Sequence, residues 1–311
     1  MKIIITGAAG LIGSHLCDIF LNQGYYVVGI DNFSFSNGIN LPKHPNFTFI
    51  KQDLSKTKIN INADVICHLA AYKKAPKNSI DSSEVMKINF LMMDNIIEFC
   101  KNTNTKLLFT STSDIYGNSK TFDENGAITI GPPNVERYSY ALSKLHDEQL
   151  VLNCVSENKI HAVIARIFGC ASERSNKGWS GGHIPLFINK ALNNQDITIH
   201  GDGTQTRSMS HALDIAEGLF NMVKKIDNLK GEIINIGTDE EMTVKESAEL
   251  IINLCNSKSK IIYQPQEEAF GKYKEIKRRF ANTTKAKKLI NYKVNYKTLN
   301  VIKNIINKWQ K

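Results

Sequence analysis

Apolar residues along the chain fall into short continuous runs that alternate with longer stretches in which apolar positions recur at helical spacing. The short runs predict strands buried on both faces, and the longer stretches predict amphipathic helices. The predicted strands span 2–6, 25–31, 47–51, 64–70, 106–111 and 160–167, and the predicted helices span 11–22, 80–101 and 138–156. Because strands alternate with helices, we predict an α/β protein with a doubly wound parallel sheet.

The middle of the chain predicts a change of organisation. A segment rich in Gly and Ser at 170–182 predicts a flexible transition between two parts of the protein. The length of 311 residues suits one large domain with a smaller lobe attached. We therefore predict a sheet-bearing domain over 1–168, to which a segment at about 205–237 returns. Residues 169–311 are predicted to form mainly a smaller, mixed α/β lobe.

Composition places the chain among globular proteins. Hydrophobic residues make up 42% and charged residues 22%, which is sufficient for a packed core. The opening stretch MKIIITGAAG is too short and too rich in glycine to predict a signal peptide, and no apolar run reaches membrane-spanning length. We expect a cytoplasmic protein without a membrane partner.

The net charge and the cysteines narrow the class of partner further. The formal net charge is +9, but the lysines are dispersed, and the densest basic stretch, at 272–279, is typical of a solvated helix face. We therefore expect no nucleic-acid partner. The six cysteines include no CxxC pair and no zinc-ligand spacing, so we predict reduced, mostly buried thiols and no metal site.

The first chemical signal is a set of three glycines, Gly7, Gly10 and Gly13, between the first predicted strand and helix. Small residues at this position let a pyrophosphate approach the backbone and the positive N-terminus of the helix. The spacing differs from GxGxxG, and the same residues also suit a tight strand-to-helix turn. Their position in the chain favours a dinucleotide site.

Two acidic residues at strand ends sharpen that prediction. Asp31 ends the second predicted strand, where a carboxylate accepts hydrogen bonds from adenosine ribose hydroxyls and repels a 2′-phosphate. This favours NAD over NADP. Asp53 follows the third predicted strand and is placed to meet the adenine, although a role as a turn or cap residue fits it almost equally well.

The second chemical signal is a tyrosine and a lysine four positions apart, Tyr140 and Lys144, which share one face of a predicted helix. A neighbouring cation lowers the pKa of a phenol, so Tyr140 is a candidate base for a sugar hydroxyl. Tyr273 and Lys277 have the same spacing but no glycine loop or acceptor strand to support them. Context favours the first pair, since a predicted strand runs into hydroxyl-rich residues at 110–113. Each hydroxyl alone also suits strand-end capping.

With these residues the chain resembles the extended short-chain dehydrogenases, a family that includes sugar-nucleotide epimerases, dehydratases and decarboxylases. The resemblance covers nearly the whole length. It rests on TGAAGLIG at 6–13, HLAA at 68–71, Asn89 opening a helix, STSDIYG at 111–117, YALSK at 140–144, RIFG at 166–169, GDGTQTR at 201–207 and NIG at 235–237. It implies a Rossmann-type fold, NAD as the cofactor, and a homodimer paired through the helices at 89–101 and 138–156.

The resemblance also implies roles for individual residues. Thr112 would hold the reacting sugar oxygen, Tyr140 would act as the base, and Lys144 would bind the nicotinamide ribose. Arg207 would pair with the substrate diphosphate, with Arg279 as a second clamp. The implied cofactor-binding residues are Gly7, Gly10, Leu11, Ile12, Gly13, Asp31, Asn32, Asp53, Leu54, Leu69, Ala70, Ala71, Asn89, Tyr140, Lys144 and Phe168, and the further substrate-binding residues are Ser113 and Asp114.

The residues after Thr112 divide the family by reaction. Dehydratases that resemble this chain carry adjacent Asp and Glu where this chain has Ser113 and Asp114, so dehydration is disfavoured. UDP-glucuronate decarboxylases carry Thr-Ser-Glu there, one methylene longer than Thr112-Ser113-Asp114. Epimerases need no extra acid at this place. Family features also differ at 171–174 and at 208–214, so the resemblance leaves the substrate open.

We therefore predict an NAD-dependent nucleotide-sugar 4-epimerase with a UDP-sugar as the expected substrate. A UDP-glucuronate decarboxylase and a nucleotide-keto-sugar reductase are the alternatives that use the same triad. A non-catalytic NAD-binding protein is a more remote alternative, disfavoured because Thr112, Tyr140 and Lys144 are all present.

Overall fold

The strands and helices follow the predicted alternation. The computed structural model describes residues 1–73, 82–178, 182–270 and 276–310. The strands are β1 (Lys2–Thr6), β2 (Tyr26–Asp31), β3 (Phe47–Lys51), β4 (Val65–His68), β5 (Lys106–Thr112), β6 (Ala162–Ile167), β7 (Cys170–Ala171), β8 (Ile197–His200), β9 (Thr206–Ser208), β10 (Ser210–His211), β11 (Ile233–Ile236), β12 (Glu241–Thr243), β13 (Ile261–Gln264) and β14 (Arg278–Arg279). The helices are α1 (Leu11–Asn22), α2 (Ser82–Thr103), α3 (Ser139–Ser156), α4 (His183–Leu192), α5 (Ala212–Lys224), α6 (Val244–Leu254), α7 (Gln266–Phe270), α8 (Thr284–Ile290) and α9 (Thr298–Trp309).

The main sheet has seven parallel strands in the order β11-β6-β5-β4-β1-β2-β3. Helices cover both of its faces, as the run of apolar residues in each strand requires. In β1, Ile3 and Ile5 point into the core that contains α1 and α5, whereas Ile4 points into the core that contains α2 and α3. This Rossmann-type order places the carboxyl ends of β1, β4 and β5 side by side at one edge, where ligands bind in such sheets.

Part of the chain after β6 forms a smaller lobe with its own core. Helices α4, α6 and α9 contribute Ile188, Ile251 and Ile305 to one apolar cluster. Three short sheets accompany them, pairing β7 with β10, β8 with β13, and β9 with both β12 and β14. Strand β11 returns from this part of the chain to the edge of the main sheet beside β6. The division at residue 168 stays a prediction.

Several element boundaries differ from the predicted ones. The strand predicted at 64–70 ends at His68, because the backbone N–H groups of Leu69 and Ala70 turn away to donate to Thr6 Oγ1. Asn89 does not open a helix but lies inside α2. The segment predicted to be flexible at 170–182 contains β7, which pairs with β10.

Parts of three predicted segments, at 80–81, 179–181 and 272–275, lie outside the described residues. Tyr273 also lies there, so its spacing to Lys277 has no structural description. Within the described part of the chain, no helix combines the length and the apolar character needed to cross a membrane.

Candidate active site

A cleft of about 1430 Å³ opens between the carboxyl edge of the main sheet and the smaller lobe. It brings together most of the predicted site residues: Gly7, Gly10, Leu11, Ile12, Gly13, Leu69, Ala71, Thr112, Ser113, Asp114, Tyr140, Lys144, Phe168, Arg207 and Arg279 all line it. The predicted residues Asp31, Asn32, Asp53, Leu54, Ala70 and Asn89 lie outside its lining. The fold thus brings distant motifs to one cavity.

The glycine loop forms the floor of one end of the cleft. Gly7 has φ +71°, a conformation that favours glycine, and its N–H donates to the carbonyl of Ile30 at 2.8 Å. A Cβ on Gly13 would lie 2.1 Å from the carbonyl oxygen of Gly7, so only glycine lets α1 start this close to the loop. No side chain caps the N-terminus of α1 at Gly10. The geometry fits the close approach of a pyrophosphate.

The acidic residues near this end have local partners. Asp31 accepts hydrogen bonds from the N–H of Ala9 at 3.1 Å and of Phe33 at 2.8 Å, and so ties the glycine loop to the end of β2. Asp53 accepts from the N–H and hydroxyl of Ser55, which is the turn role that also fitted the sequence.

The other predicted cofactor residues outside the lining have structural contacts. Asn32 accepts from the N–H of Ser34, and the side chain of Leu54 is buried in the core beside α2. Asn89 accepts from the backbone N–H of Tyr72 at 2.8 Å and donates to Ser143 Oγ at 3.0 Å. It therefore braces α3 next to Lys144.

Lys144 is buried behind the cleft wall. Its ammonium donates to the carbonyl of Thr110 at 3.1 Å and lies 4.5 Å from the centre of the Phe109 ring. Burial lowers the pKa of Lys144 to about 8, against the opposing effect of the Asp147 and Glu148 carboxylates. Thr112 Oγ1 accepts from the N–H of Asp114 at 3.2 Å, which starts a short 3₁₀ turn at the end of β5.

The pKa of Tyr140 in the protein alone lies above its ordinary value. Burial raises this pKa, and the carboxylates of Asp114 and Asp147 raise it further. The expectation that Lys144 together with a bound nicotinamide lowers this pKa concerns the protein with its cofactor and stays a prediction. Lowering it requires additional positive charge in the cleft.

A carboxylate between two cations stands next to Tyr140. Asp114 forms an ion pair with Arg279 through one oxygen, and its other oxygen lies 3.4 Å from the ammonium of Lys73. The same ammonium lies 4.9 Å from the centre of the Tyr140 ring. Arg279 was expected to clamp the diphosphate, but its side chain reaches Asp114. Lys73 was not among the predicted site residues.

Arg207 lies on the neighbouring strand, since Arg279 and Arg207 are register partners in β14 and β9. One guanidinium nitrogen of Arg207 donates to the backbone carbonyls of Thr206 at 2.6 Å and Ile276 at 2.8 Å. Burial, together with the charge of Arg207, lowers the pKa of His183 to about 3. The lobe wall of the cleft thus pairs a fixed cation with a neutral imidazole.

A buried polar network that sequence reasoning did not find lies below the cleft. Arg166 on β6 forms a bidentate ion pair with Glu148 on α3 and donates to the hydroxyl of Tyr116 at 2.9 Å. Tyr116 donates to Asn235 Oδ1 at 2.8 Å, and the N–H of Asn235 donates to Glu124 at 3.0 Å. Tyr116, Arg166 and Asn235 belong to motifs that carry the family resemblance, and this was the available signal.

Some buried polar atoms on residues of the cleft lining have no hydrogen-bond partner among the described residues, although buried polar groups are normally paired. They are Ser36 Oγ, Ser111 Oγ, Arg174 Nη1 and Gln205 Oε1. The glycine cradle and the charged and hydroxyl side chains of the lining make the cavity suitable for a dinucleotide and a polar substrate.

Comparison with known proteins gives a consistent family assignment. The family model described as the NAD-dependent epimerase/dehydratase family matches residues 3–237. The UDP-N-acetyl-α-D-glucosaminuronate decarboxylase of Bacillus cytotoxicus is 31% identical over 303 residues, covering 94% of this chain and 93% of that protein.

Solved structures show the same fold over the full chain. The X-ray structure of Pal from Bacillus thuringiensis is 25% identical with a TM-score of 0.88, covering 100% of this chain and 99% of that one. The UDP-glucuronic acid 4-epimerase of Bacillus cereus, in complex with UDP-glucuronic acid and NAD, is 28% identical with a TM-score of 0.83, covering 99% of this chain and 98% of that one.

Proposed function

The chain belongs to the NAD-dependent epimerase/dehydratase family, and on that premise we propose that it is a decarboxylase of a UDP-linked hexuronate. Its cofactor is NAD. The sequence alone favoured the 4-epimerase, with the decarboxylase as an alternative. We now prefer the decarboxylase for two reasons: the ion pair of Asp114 with Arg279 beside Tyr140, and the similarity to a relative from Bacillus cytotoxicus that is named as a decarboxylase.

Residues at the sheet edge would hold the cofactor. Gly7, Gly10 and Gly13 leave room for the pyrophosphate, Asp31 would accept from the adenosine ribose, and Lys144 would donate to the nicotinamide ribose. NAD held by these residues would supply the reversible hydride acceptance that oxidation and re-reduction at sugar C4 require.

The side chains of this protein would handle the proton at C4. Tyr140 would take the proton of the C4 hydroxyl, and Thr112 would hold the same oxygen. The raised pKa of Tyr140 in the protein alone means that the phenolate needs nearby positive charge. Lys144 lies on the same helix as Tyr140, and the Lys73 ammonium lies over the Tyr140 ring. A bound nicotinamide would add a further positive charge.

Oxidation at C4 prepares a hexuronate for loss of its carboxylate. The C4 carbonyl is then β to the C6 carboxylate, so the C5–C6 bond breaks with its electrons moving to the C4 carbonyl. Carbon dioxide leaves, and C5 takes up a proton in exchange. This step needs no dehydratase-type acid in place of Ser113.

The ion pair between Asp114 and Arg279 is the observation that carries the proposal. It joins residues 165 positions apart, within the cleft and beside the proposed base. A 4-epimerase must turn the keto-sugar over to offer its opposite face, whereas a decarboxylase keeps one orientation. If the charged group at Arg279 and Asp114 binds the sugar carboxylate beside C4, the keto-sugar cannot turn over easily. This arrangement favours decarboxylation over epimerisation.

The test is the product formed by purified protein with NAD. UDP-glucuronate and UDP-N-acetylglucosaminuronate would be incubated separately and followed by NMR and carbon dioxide release. We expect a UDP-pentose, with one carbon dioxide per sugar. A C4 epimer that retains the carboxylate would contradict the decarboxylase and support the 4-epimerase.

The 4-epimerase stays as the second candidate because a solved epimerase of UDP-glucuronic acid shares this fold at 28% identity. Stoichiometric NADH consumption with a keto-sugar would instead indicate a reductase. NAD binding without any product would indicate a non-catalytic protein. We also propose a homodimer formed through α2 and α3, to be tested by the mass of the protein in solution.

A further inference from the structure

Lys73 lies beside Tyr140, the residue proposed to act on the C4 hydroxyl of the sugar. It follows β4 and the cleft-lining residues Leu69 and Ala71, at the edge of the sheet. Its ammonium lies 4.9 Å from the centre of the Tyr140 ring. Tyr140 is the proposed base for the C4 hydroxyl, and the C6 carboxylate of a hexuronate is separated from C4 only by C5.

Two cations and one carboxylate form a charged group on the cleft side of Tyr140. Lys73 and Arg279 carry one positive charge each and both pair with Asp114, so these three side chains have a net charge of +1. The carboxylate of a hexuronate can pair with such a cation, whereas a neutral hexose brings no charge.

The cleft as a whole is suited to anions. Its described lining carries these charged side chains, apart from histidine: the cations Lys73, Lys144, Arg174, Lys177, Arg207 and Arg279, and the carboxylates Asp114 and Glu136. Long-range attraction of this kind serves every phosphate in the cleft and does not select a sugar. Selection requires a cation that is both close to C4 and able to reach the ligand.

Lys73 meets both conditions better than its neighbours. The ammonium of Lys144 is buried and donates to Thr110, and Arg207 donates to two backbone carbonyls. The side chain of Lys73 is 60% exposed, and its 3.4 Å separation from Asp114 is longer than a strong charged hydrogen bond. It can therefore turn from Asp114 to a ligand at little energetic cost.

We infer that Lys73 is a specificity-determining residue that binds the sugar carboxylate and selects UDP-hexuronates over neutral UDP-hexoses. The inference rests on the proposed function for its class of substrate. It assigns to Asp114 the role of holding Lys73 and Arg279 beside Tyr140 until the substrate carboxylate arrives.

The test compares binding of matched sugar pairs that differ only at C6. Calorimetry with NAD-saturated protein would use UDP-glucuronate against UDP-glucose, and UDP-N-acetylglucosaminuronate against UDP-N-acetylglucosamine. A Tyr140→Phe background would prevent turnover and keep the aromatic ring under Lys73. The measured quantity is the ratio of the two dissociation constants within each pair.

We expect the background protein to prefer the hexuronate by about tenfold, the scale of one charge-assisted hydrogen bond. Lys73→Gln should remove most of this preference while leaving the affinity for UDP unchanged, and Lys73→Arg should keep it. Lys177→Gln is the matched control, because Lys177 also lines the cleft but lies against Trp309. It should change both members of a pair equally.

A hexuronate preference that survives in Lys73→Gln would overturn the inference, and so would a background protein without any preference. The product assay tests the proposed function separately. Decarboxylation by a protein in which Lys73→Gln keeps the preference would leave the function standing without the inference. Loss of preference in a protein that only epimerises a hexuronate would leave the inference standing without the decarboxylase.

Discussion

Two arginine–carboxylate pairs lie close to the sheet edge, and they differ in surroundings rather than in chemistry. Arg166 and Glu148 are only 3% and 2% exposed, and their remaining hydrogen bonds go to the protein. Arg279 and Asp114 are 14% and 30% exposed, face the cleft and share a second cation, Lys73. The first pair is a brace between β6 and α3, and the second is available to a ligand.

The contrast shows that the same type of ion pair can either stabilise the fold or interact with a ligand. A buried ion pair depends on good geometry and on hydrogen bonds to all of its other polar groups. Removing one partner therefore lowers the free energy of unfolding. A partly buried pair that solvent still reaches contributes less to stability and can exchange a partner for a substrate. Substitutions in the buried pair should therefore mainly change stability, whereas substitutions in the pair that faces the cleft should mainly change activity.

The largest effect is expected from two tyrosines that belong to the two sides of this comparison. Tyr140→Phe removes the proposed base in the cleft and should lower kcat by about 10²- to 10⁴-fold, with an unchanged unfolding midpoint. Tyr116→Phe should instead lower the free energy of unfolding by about 1–3 kcal/mol, because Arg166 and Asn235 each lose one of their buried hydrogen bonds. Product formation and urea unfolding measure the two effects. A catalytic defect of equal size in both variants would remove the distinction.

Breaking the buried pair should have the next largest effect. Arg166→Met leaves the Glu148 carboxylate buried without its partner, which costs about 3–5 kcal/mol in comparable pairs. Urea unfolding would measure the loss, and the protein that remains folded should keep a kcat close to wild type. Changing Glu148 to Leu as well should recover part of the stability, since no unpaired charge then remains. A double variant no more stable than Arg166→Met would contradict this account.

Local sequence patterns predicted six of the seven strands of the main sheet, all except β11. Each of its buried strands is a continuous apolar run, and alternation of β1, α1 and β2 implies parallel connection without knowledge of distant residues. The ends of elements were harder, because they depend on contacts made elsewhere. Strand β4 stops at His68 since Thr6, far away in sequence, accepts from the backbone that follows.

The site was predicted in its motifs but not in its pairings. Gly13, Tyr140 and Lys144 carry their chemistry within a few positions, so their spacing together with the neighbouring predicted strands marked them as candidates. Lys73 and Arg279 reach Asp114 across 41 and 165 positions, and no local pattern signals such a contact. The family resemblance implied that Arg279 helps to bind the substrate diphosphate, which stays a prediction, and it gave no sign of the contact between Arg279 and Asp114.

Asp114→Asn sharpens the comparison through the pH dependence of activity. The Asp114 carboxylate raises the pKa of Tyr140, after the larger effect of burial, so removing that charge lowers this pKa. If the phenolate is the active form, activity rises with pH through the pKa, and the rise in Asp114→Asn should move to lower pH. The free energy of unfolding should change by only about 1 kcal/mol, because solvent reaches this partly buried pair and an amide can still accept a hydrogen bond from Arg279. A rise displaced to higher pH would argue against Tyr140 as the base.

The smallest effect is expected from the residue beside Arg279. Arg278 also pairs with a carboxylate, Glu241, at 2.6 Å, but its side chain is 64% exposed and lies outside the cleft lining. Solvent screens such a pair, so Arg278→Gln should leave both the unfolding midpoint and product formation unchanged within error. Arg279→Gln, the same substitution one position along β14, should also leave the midpoint nearly unchanged but reduce product formation by about tenfold, because its pair faces the proposed base. Equal activities of the two variants would mean that the ion pair between Arg279 and Asp114 has no role in the reaction, although it faces the cleft.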